Sequence, residues 1–96
     1  MASDKQLVTA VRLHINSLNF LVIEGSHAAK RGIERFISNN DIKSVAKNIV
    51  RSYVDTDKRV ILEGRDLSDR LLRVVAVIEK LDTGPVVIVT VMRIRG

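Results

Sequence analysis

The sequence predicts an α+β domain in which N-terminal helices pack on one face of an antiparallel sheet. Three observations predict it. Apolar residues recur at helical spacing in the first half, and the period switches to extended near Lys58. Three β-rich runs with short connectors then follow, at residues 59–63, 71–79 and 86–94. Helices first and strands afterwards segregate the two element types, which is the α+β pattern. The expectation is two N-terminal helices, or three if residues 4–16 are also helical, on a sheet of about four strands. The 96 residues make a single domain, 1–96, with no repeat, linker or low-complexity tract.

For residues 4–16, Leu7, Val11, Ile15 and Leu18 fall at helical spacing with Val8 alongside, and Ser3 or Asp4 can cap the start. Leu7, Val11, Leu13 and Ile15 also fit an alternating strand pattern, so helix and strand both stay open here. FLVIE, residues 20–24, reads as a short strand ended by Gly25. Ser26 is an N-cap for a helix that carries His27 and ends at Ser38-Asn39-Asn40. Gly32 weakens that helix by about 1 kcal/mol relative to alanine. The next helix is expected from Asn40 or Asp41 to about Tyr53. Its buried stripe is Ile42, Val45, Ala46, Ile49 and Val50, and Lys43, Lys47 and Arg51 form a basic stripe. GRDLSD and KLDTGP connect the later runs and are rich in turn formers. Connectors this short make consecutive strands antiparallel. VVIVTVM is so apolar that it should lie centrally or be covered on both faces.

With 46% hydrophobic residues and only Phe20, Phe36 and Tyr53 as aromatics, the core must be aliphatic. Net charge is +5, and arginine outnumbers lysine ten to six. A basic domain suits an anionic partner, nucleic acid above all, although +5 also serves solubility alone. Absence of cysteine excludes disulfides, thiolate metal sites and a cysteine nucleophile. His14 and His27 have no metal-ligand spacing, so neither metal nor cofactor is expected. No signal peptide is visible, and no apolar run reaches the roughly 20 residues of a membrane helix. A cytoplasmic protein without membrane contact is the expectation.

Residues 26–42, SHAAKRGIERFISNNDI, place His27, Arg31 and Arg35 four residues apart, on one helix stripe. A titratable group beside fixed positive charge is the minimum equipment for phosphodiester chemistry. The same arrangement also occurs on ordinary helix surfaces, and the basic stripe of the following helix is equally an ordinary solvated face.

The pattern His27-x3-Arg31-x3-Arg35-x-Ile37-Ser38-x2-Asp41-Ile42 resembles the signature of a bacterial family of small domains of unknown function. Those domains are assigned to the barnase–EndoU–colicin–RelE (BECR) superfamily of ribonuclease toxins. Residues 60–79, VILEGRDLSDRLLRVVAVIE, and 86–92, VVIVTVM, resemble it too: a strand, a Gly-Arg-Asp turn, a long strand with arginine, and a last strand with threonine. The resemblance covers about residues 20–94. Phe36 departs from it, standing where the family usually has glycine. The resemblance implies a RelE-like fold, with helices on one sheet face and an RNA site on the sheet and at helix edges. It implies His27, Arg31, Arg70 or Arg73, and Thr90 as site residues, with Lys30, Arg35, Arg65 and Arg70 as RNA contacts. In a regular strand Arg73 and Arg70 face opposite sides, and Thr90 shares its side with Ile88 and Met92.

Metal-independent RNA cleavage sends the 2′-hydroxyl against the adjacent phosphate. It needs a base, an acid for the leaving 5′-oxygen, and cations for the developing charge. His27 at a helix N-terminus would stay neutral and available. Arg31 and Arg73 would stabilise charge, and Thr90 would hydrogen-bond a phosphate oxygen. Glu63 or Glu79 would complete the pair; His14 reads as structural. The expected function is a small ribonuclease related to toxin–antitoxin or polymorphic toxin nucleases. Its partners would be RNA, with or without the ribosome, and an antitoxin or immunity protein. The alternatives are a non-catalytic RNA- or protein-binding module on the same fold, and a phage or mobile-element protein that self-associates through its last strand.

Overall fold

The computed structural model describes residues 3–22 and 37–94. The first element is helix α1, Asp4–Asn16, so the open choice at residues 4–16 resolves to helix. A reciprocal capping box starts it: the Ser3 hydroxyl accepts from the Gln6 amide, and the Gln6 side chain accepts from the Ser3 amide. A Schellman turn ends it. The amide of Asn19 donates to the His14 carbonyl and that of Leu18 to the Ile15 carbonyl, with Leu18 at φ 58°. Strand β1, Phe20–Val22, follows. The expected helix carrying His27 lies outside the described residues.

Helix α2, Asn39–Lys47, is shorter than expected, because residues 49–54 form a strand instead of its continuation. Asn48 makes the break. Its backbone leaves the helical region (φ −116°, ψ 52°), and its side-chain amide donates to the carbonyl and hydroxyl of Ser44. That local bonding competes with further helix. The following Ile-Val-Arg-Ser-Tyr-Val is rich in residues that suit a strand. Lys43 and Lys47 therefore share α2, while Arg51 leaves the expected basic stripe for the sheet.

Strands β2 (Ile49–Val54), β3 (Val60–Arg65), β4 (Leu71–Ile78) and β5 (Val86–Arg93) form an antiparallel meander. Short β1 adds in parallel beside β5, giving a mixed sheet of order β1-β5-β4-β3-β2. The expected antiparallel sheet of about four strands is corrected twice: β2, expected as helix, makes a fifth strand, and β1 pairs in parallel. β5 is hydrogen-bonded on both sides over its first three residues, consistent with its apolar sequence.

Two turns of the meander repeat one design. In DTDKR, the amides of Asp57 and Arg59 donate to Asp55 Oδ1, and the amide of Asp55 donates to the Arg59 carbonyl. In DLSDR, the amides of Ser68 and Arg70 donate to Asp66 Oδ1, and the amide of Asp66 donates to the Arg70 carbonyl. Lys58 and Asp69 take the left-handed position at φ 61° and 62°. An aspartate that satisfies its own turn fixes the hairpin register.

Both described helices cover one sheet face. Val11, Ile15, Ile42, Val45 and Ala46 meet Val60, Leu62, Leu72, Val74, Ala76, Val86, Ile88 and Val91 in a buried aliphatic core. Each large buried aliphatic side chain contributes about 1.5–3 kcal/mol. Gly64 lets α2 approach: a Cβ there would lie 2.5 Å from the Asn48 carbonyl oxygen and 2.7 Å from that of Val45. Ser44 Oγ donates to the Arg65 carbonyl and the Arg65 amide to the Asn48 carbonyl, fastening the same junction.

Candidate nucleic-acid interface

The sheet face opposite α1 and α2 brings functional side chains together. Register aligns Arg51, Glu63, Arg73 and Met92 in one row across β2, β3, β4 and β5. Tyr53, Ile61, Val75 and Thr90 form the adjacent row. Two β-bulges create this alignment. In β2 the register shifts between Ile49 and Arg51; in β5 it shifts opposite Val75 and Ala76, leaving Val89 as the extra residue. Each extra residue reverses the side on which the following side chains point. Ile49 thus packs against the core while Arg51 and Tyr53 turn outward. Ile88 is buried in the core while Thr90 and Met92 turn outward. The regular-strand expectation that Thr90 shares its side with Ile88 is corrected by this bulge.

Glu63 and Arg73 are the centre of the face. Arg73 Nε donates to Glu63 Oε2 at 2.7 Å, and Arg73 Nη1 reaches Met92 Sδ at 3.8 Å. The Glu63 side chain is 9% exposed and that of Arg73 36%. Glu63 is thus a buried carboxylate on an interior strand, held by a charge-assisted bond, with the arginine partly open to solvent. Arg51 lies with its guanidinium carbon 4.7 Å from the centroid of the Tyr53 ring. The Thr90 hydroxyl donates to the Val89 carbonyl at 2.8 Å, which leaves its oxygen able to accept.

The structure therefore brings Arg73 and Thr90 into adjacent rows. It separates them from Arg70, whose side chain is exposed at the turn and lies 3.8 Å from Asp66. Arg65 stands at the end of the face, donates to the Asp69 carbonyl and faces the Asp69 carboxylate at 3.9 Å. His27, Lys30, Arg31 and Arg35 lie outside the described residues. Glu63 was expected only as an alternative acid–base partner, and Arg51 and Tyr53 were expected in a helix. Once the DLSDR turn is recognised, hairpin counting from Arg65 opposite Leu71 puts Glu63 opposite Arg73, so that pair had a signal in the sequence.

Other motif residues prove structural. Asp41 Oδ2 accepts from the amide and hydroxyl of Ser38, and Asp41 Oδ1 accepts from the Leu67 amide. The Ile-Ser-x2-Asp-Ile pattern thus caps α2 and ties it to the β3–β4 turn. Burial alone would raise the Asp41 pKa. The Ser38 and Leu67 amides, the Ser38 hydroxyl and the charge of Arg93 outweigh it and hold the carboxyl below its ordinary value. Asp66 is buried, closes its own turn, and lies 3.3 Å from Arg93 Nη1. His14 joins α1 to the β4–β5 connection. Its Nε2 donates to the Leu81 carbonyl at 2.9 Å, and its Nδ1 accepts from the Asn19 side-chain amide at 2.8 Å, which fixes one tautomer.

Among the described residues, no group of three or more His, Cys, Asp or Glu could hold a metal ion, and no helix is long and apolar enough to cross a membrane. Comparison with curated proteins and with solved structures gave no match. A family model described as a domain of unknown function, DUF4258, matches residues 25–93, from before α2 through the end of β5. The match takes in most of the chain, including every strand of the meander, and the protein belongs to the DUF4258 family.

Proposed function

We propose that this protein is an RNA-directed domain of the BECR, RelE-like type that cleaves RNA without metal. The observation that carries the reading is the bulge-built face, where two bulged strands and a buried Glu63 paired with a half-exposed Arg73 converge. Bulges cluster beside active sites because they re-aim side chains. In this mechanism His27 removes the proton from the RNA 2′-hydroxyl. The 2′-oxygen bonds to phosphorus, and the 5′-oxygen leaves with the proton that the His27 imidazolium then gives back, while Glu63, ionised against Arg73, orients that arginine. Arg73, with Arg31, faces the charge that develops on phosphate. The products are a 2′,3′-cyclic phosphate and a 5′-hydroxyl. Lys30, Arg35, Arg65 and Arg70 contribute to RNA affinity. The cellular partners proposed are RNA or the ribosome and an antitoxin or immunity protein, in the cytoplasm.

A second reading has its own observation. The Thr90 hydroxyl donates to Val89 and Arg73 is engaged by Glu63, as in a face that binds phosphate without reacting with it. Purified protein incubated with RNA and a chelator decides between them. Cleavage to cyclic-phosphate ends, lost in His27→Ala and reduced at least a hundredfold in Arg73→Ala, is the expected result. Binding without cleavage in the wild type, with and without ribosomes, establishes the binding module instead.

A further inference from the structure

We propose that Tyr53, with Arg51 over its ring, is a stacking platform for one base of single-stranded RNA. The inference rests on the RNA-directed reading above and names its substrate class. The chain has one tyrosine and no tryptophan. Phe20 packs against the core and Phe36 lies outside the described residues, so Tyr53 is the aromatic that the described sheet offers on its outer face. Tyr53 is half-buried, so part of the residue stays accessible.

Residues two apart on a strand share a face. Arg51 and Tyr53 do so, and the β2 bulge makes that shared face the outer one. Glu63, directly across from Arg51, is engaged by Arg73, and the Arg51 guanidinium stacks on the ring instead. An aromatic ring and a guanidinium plane are the two surfaces on which unpaired bases stack, whatever their identity. Arg73 lies two strands away, about 10 Å. A base held on Tyr53 would therefore direct its neighbouring phosphates toward Arg73 and Thr90. A duplex keeps its bases in their own stack and cannot use the platform. Substrate selection by strandedness follows, with little sequence preference.

The sole tyrosine also supplies the test. Three 2′-O-methyl oligonucleotides of equal length resist cleavage and serve as probes: a single strand, its duplex, and an abasic strand of the same charge. Tyrosine fluorescence, corrected for absorbance, reports stacking at one site. End-labelled versions of the probes report affinity by polarisation. The single strand should quench Tyr53, and the abasic strand should bind about tenfold more weakly without quenching. Tyr53→Phe should keep affinity, while Tyr53→Leu, which preserves apolar bulk, should lose about tenfold with an unchanged melting temperature. Equal affinity of Tyr53→Leu and wild type, or equal binding of abasic and normal strands, overturns the platform while leaving RNA recognition intact. Failure of all three probes to bind overturns both the platform and the reading beneath it.

Discussion

At the scale of single residues, Asp41 shows how one carboxylate serves two elements. Its two oxygens receive hydrogen bonds from Ser38 at the start of α2 and from Leu67 in the β3–β4 turn. Because its pKa is held below the ordinary 3.8, the folded state favours the ionised form more than the unfolded chain does. As pH falls, the unfolded chain takes up its proton first. The stabilisation is complete above the ordinary value and is lost as pH drops through the lower folded one. Asp41→Ala should cost about 1–2 kcal/mol in urea denaturation at neutral pH. The gap to wild type should narrow below about pH 4; a gap that stays constant into acid would assign the loss to packing. Glu63 presents the opposite problem, a buried charge that depends on one partner. Arg73→Ala should destabilise by about 2 kcal/mol or more by stranding it. Adding Glu63→Leu should recover most of that loss, because no buried charge then remains. Additive losses in a double-mutant cycle would refute this account.

At the scale of elements, each junction has a residue that decides it. Leu18 closes the Schellman turn of α1 with φ 58°, a position where glycine carries no side-chain penalty. Leu18 is 49% exposed, so little packing is at stake. Leu18→Gly should therefore raise stability by up to about 1 kcal/mol, read as a higher melting temperature. Gly64→Ala should do the reverse. Its Cβ would meet two backbone carbonyl oxygens that cannot rotate away, and a loss of about 2–3 kcal/mol is expected. The elements were legible in the sequence where periodicity and turn chemistry agree. Leu7, Val11 and Ile15 define the apolar stripe of α1, and the turn formers of GRDLSD and KLDTGP delimit the later strands. Residues 49–54 were not, because Ile49 and Val50 extend the apolar stripe of α2 by one more turn, while the interruption at Asn48 depends on side-chain bonding to Ser44. Nor was the face of Thr90. A bulge adds one residue without a glycine or proline to mark it, and that single residue reverses every side chain beyond it. The parallel pairing of β1 with β5 joins residues more than sixty positions apart, beyond the reach of local pattern.

At the scale of the molecule, the sheet divides two tasks. One face carries an aliphatic core under α1 and α2; the other carries a short row of charge with one aromatic ring beside it. Net charge is +5, yet on the outer face Arg73 is matched by Glu63 and Arg65 by Asp69, so only part of the positive charge is free to meet phosphate. A protein that neutralises Z phosphates of a single strand loses affinity with salt at a logarithmic slope of about −0.7Z. Two to four contacts, drawn from Arg51, Arg65, Arg70 and Arg73, would give a slope of about −1.5 to −3. Arg51→Ala should reduce the steepness by about 0.7, one phosphate contact, if its guanidinium meets phosphate. It should instead lower affinity with an unchanged slope if the guanidinium serves only the base on Tyr53. Tyr53→Leu, which removes no charge, should leave the slope unchanged at lower affinity. Polarisation titrations of wild type and both variants across a salt series separate these contributions. An affinity indifferent to salt would mean that phosphate recognition is not what this face does.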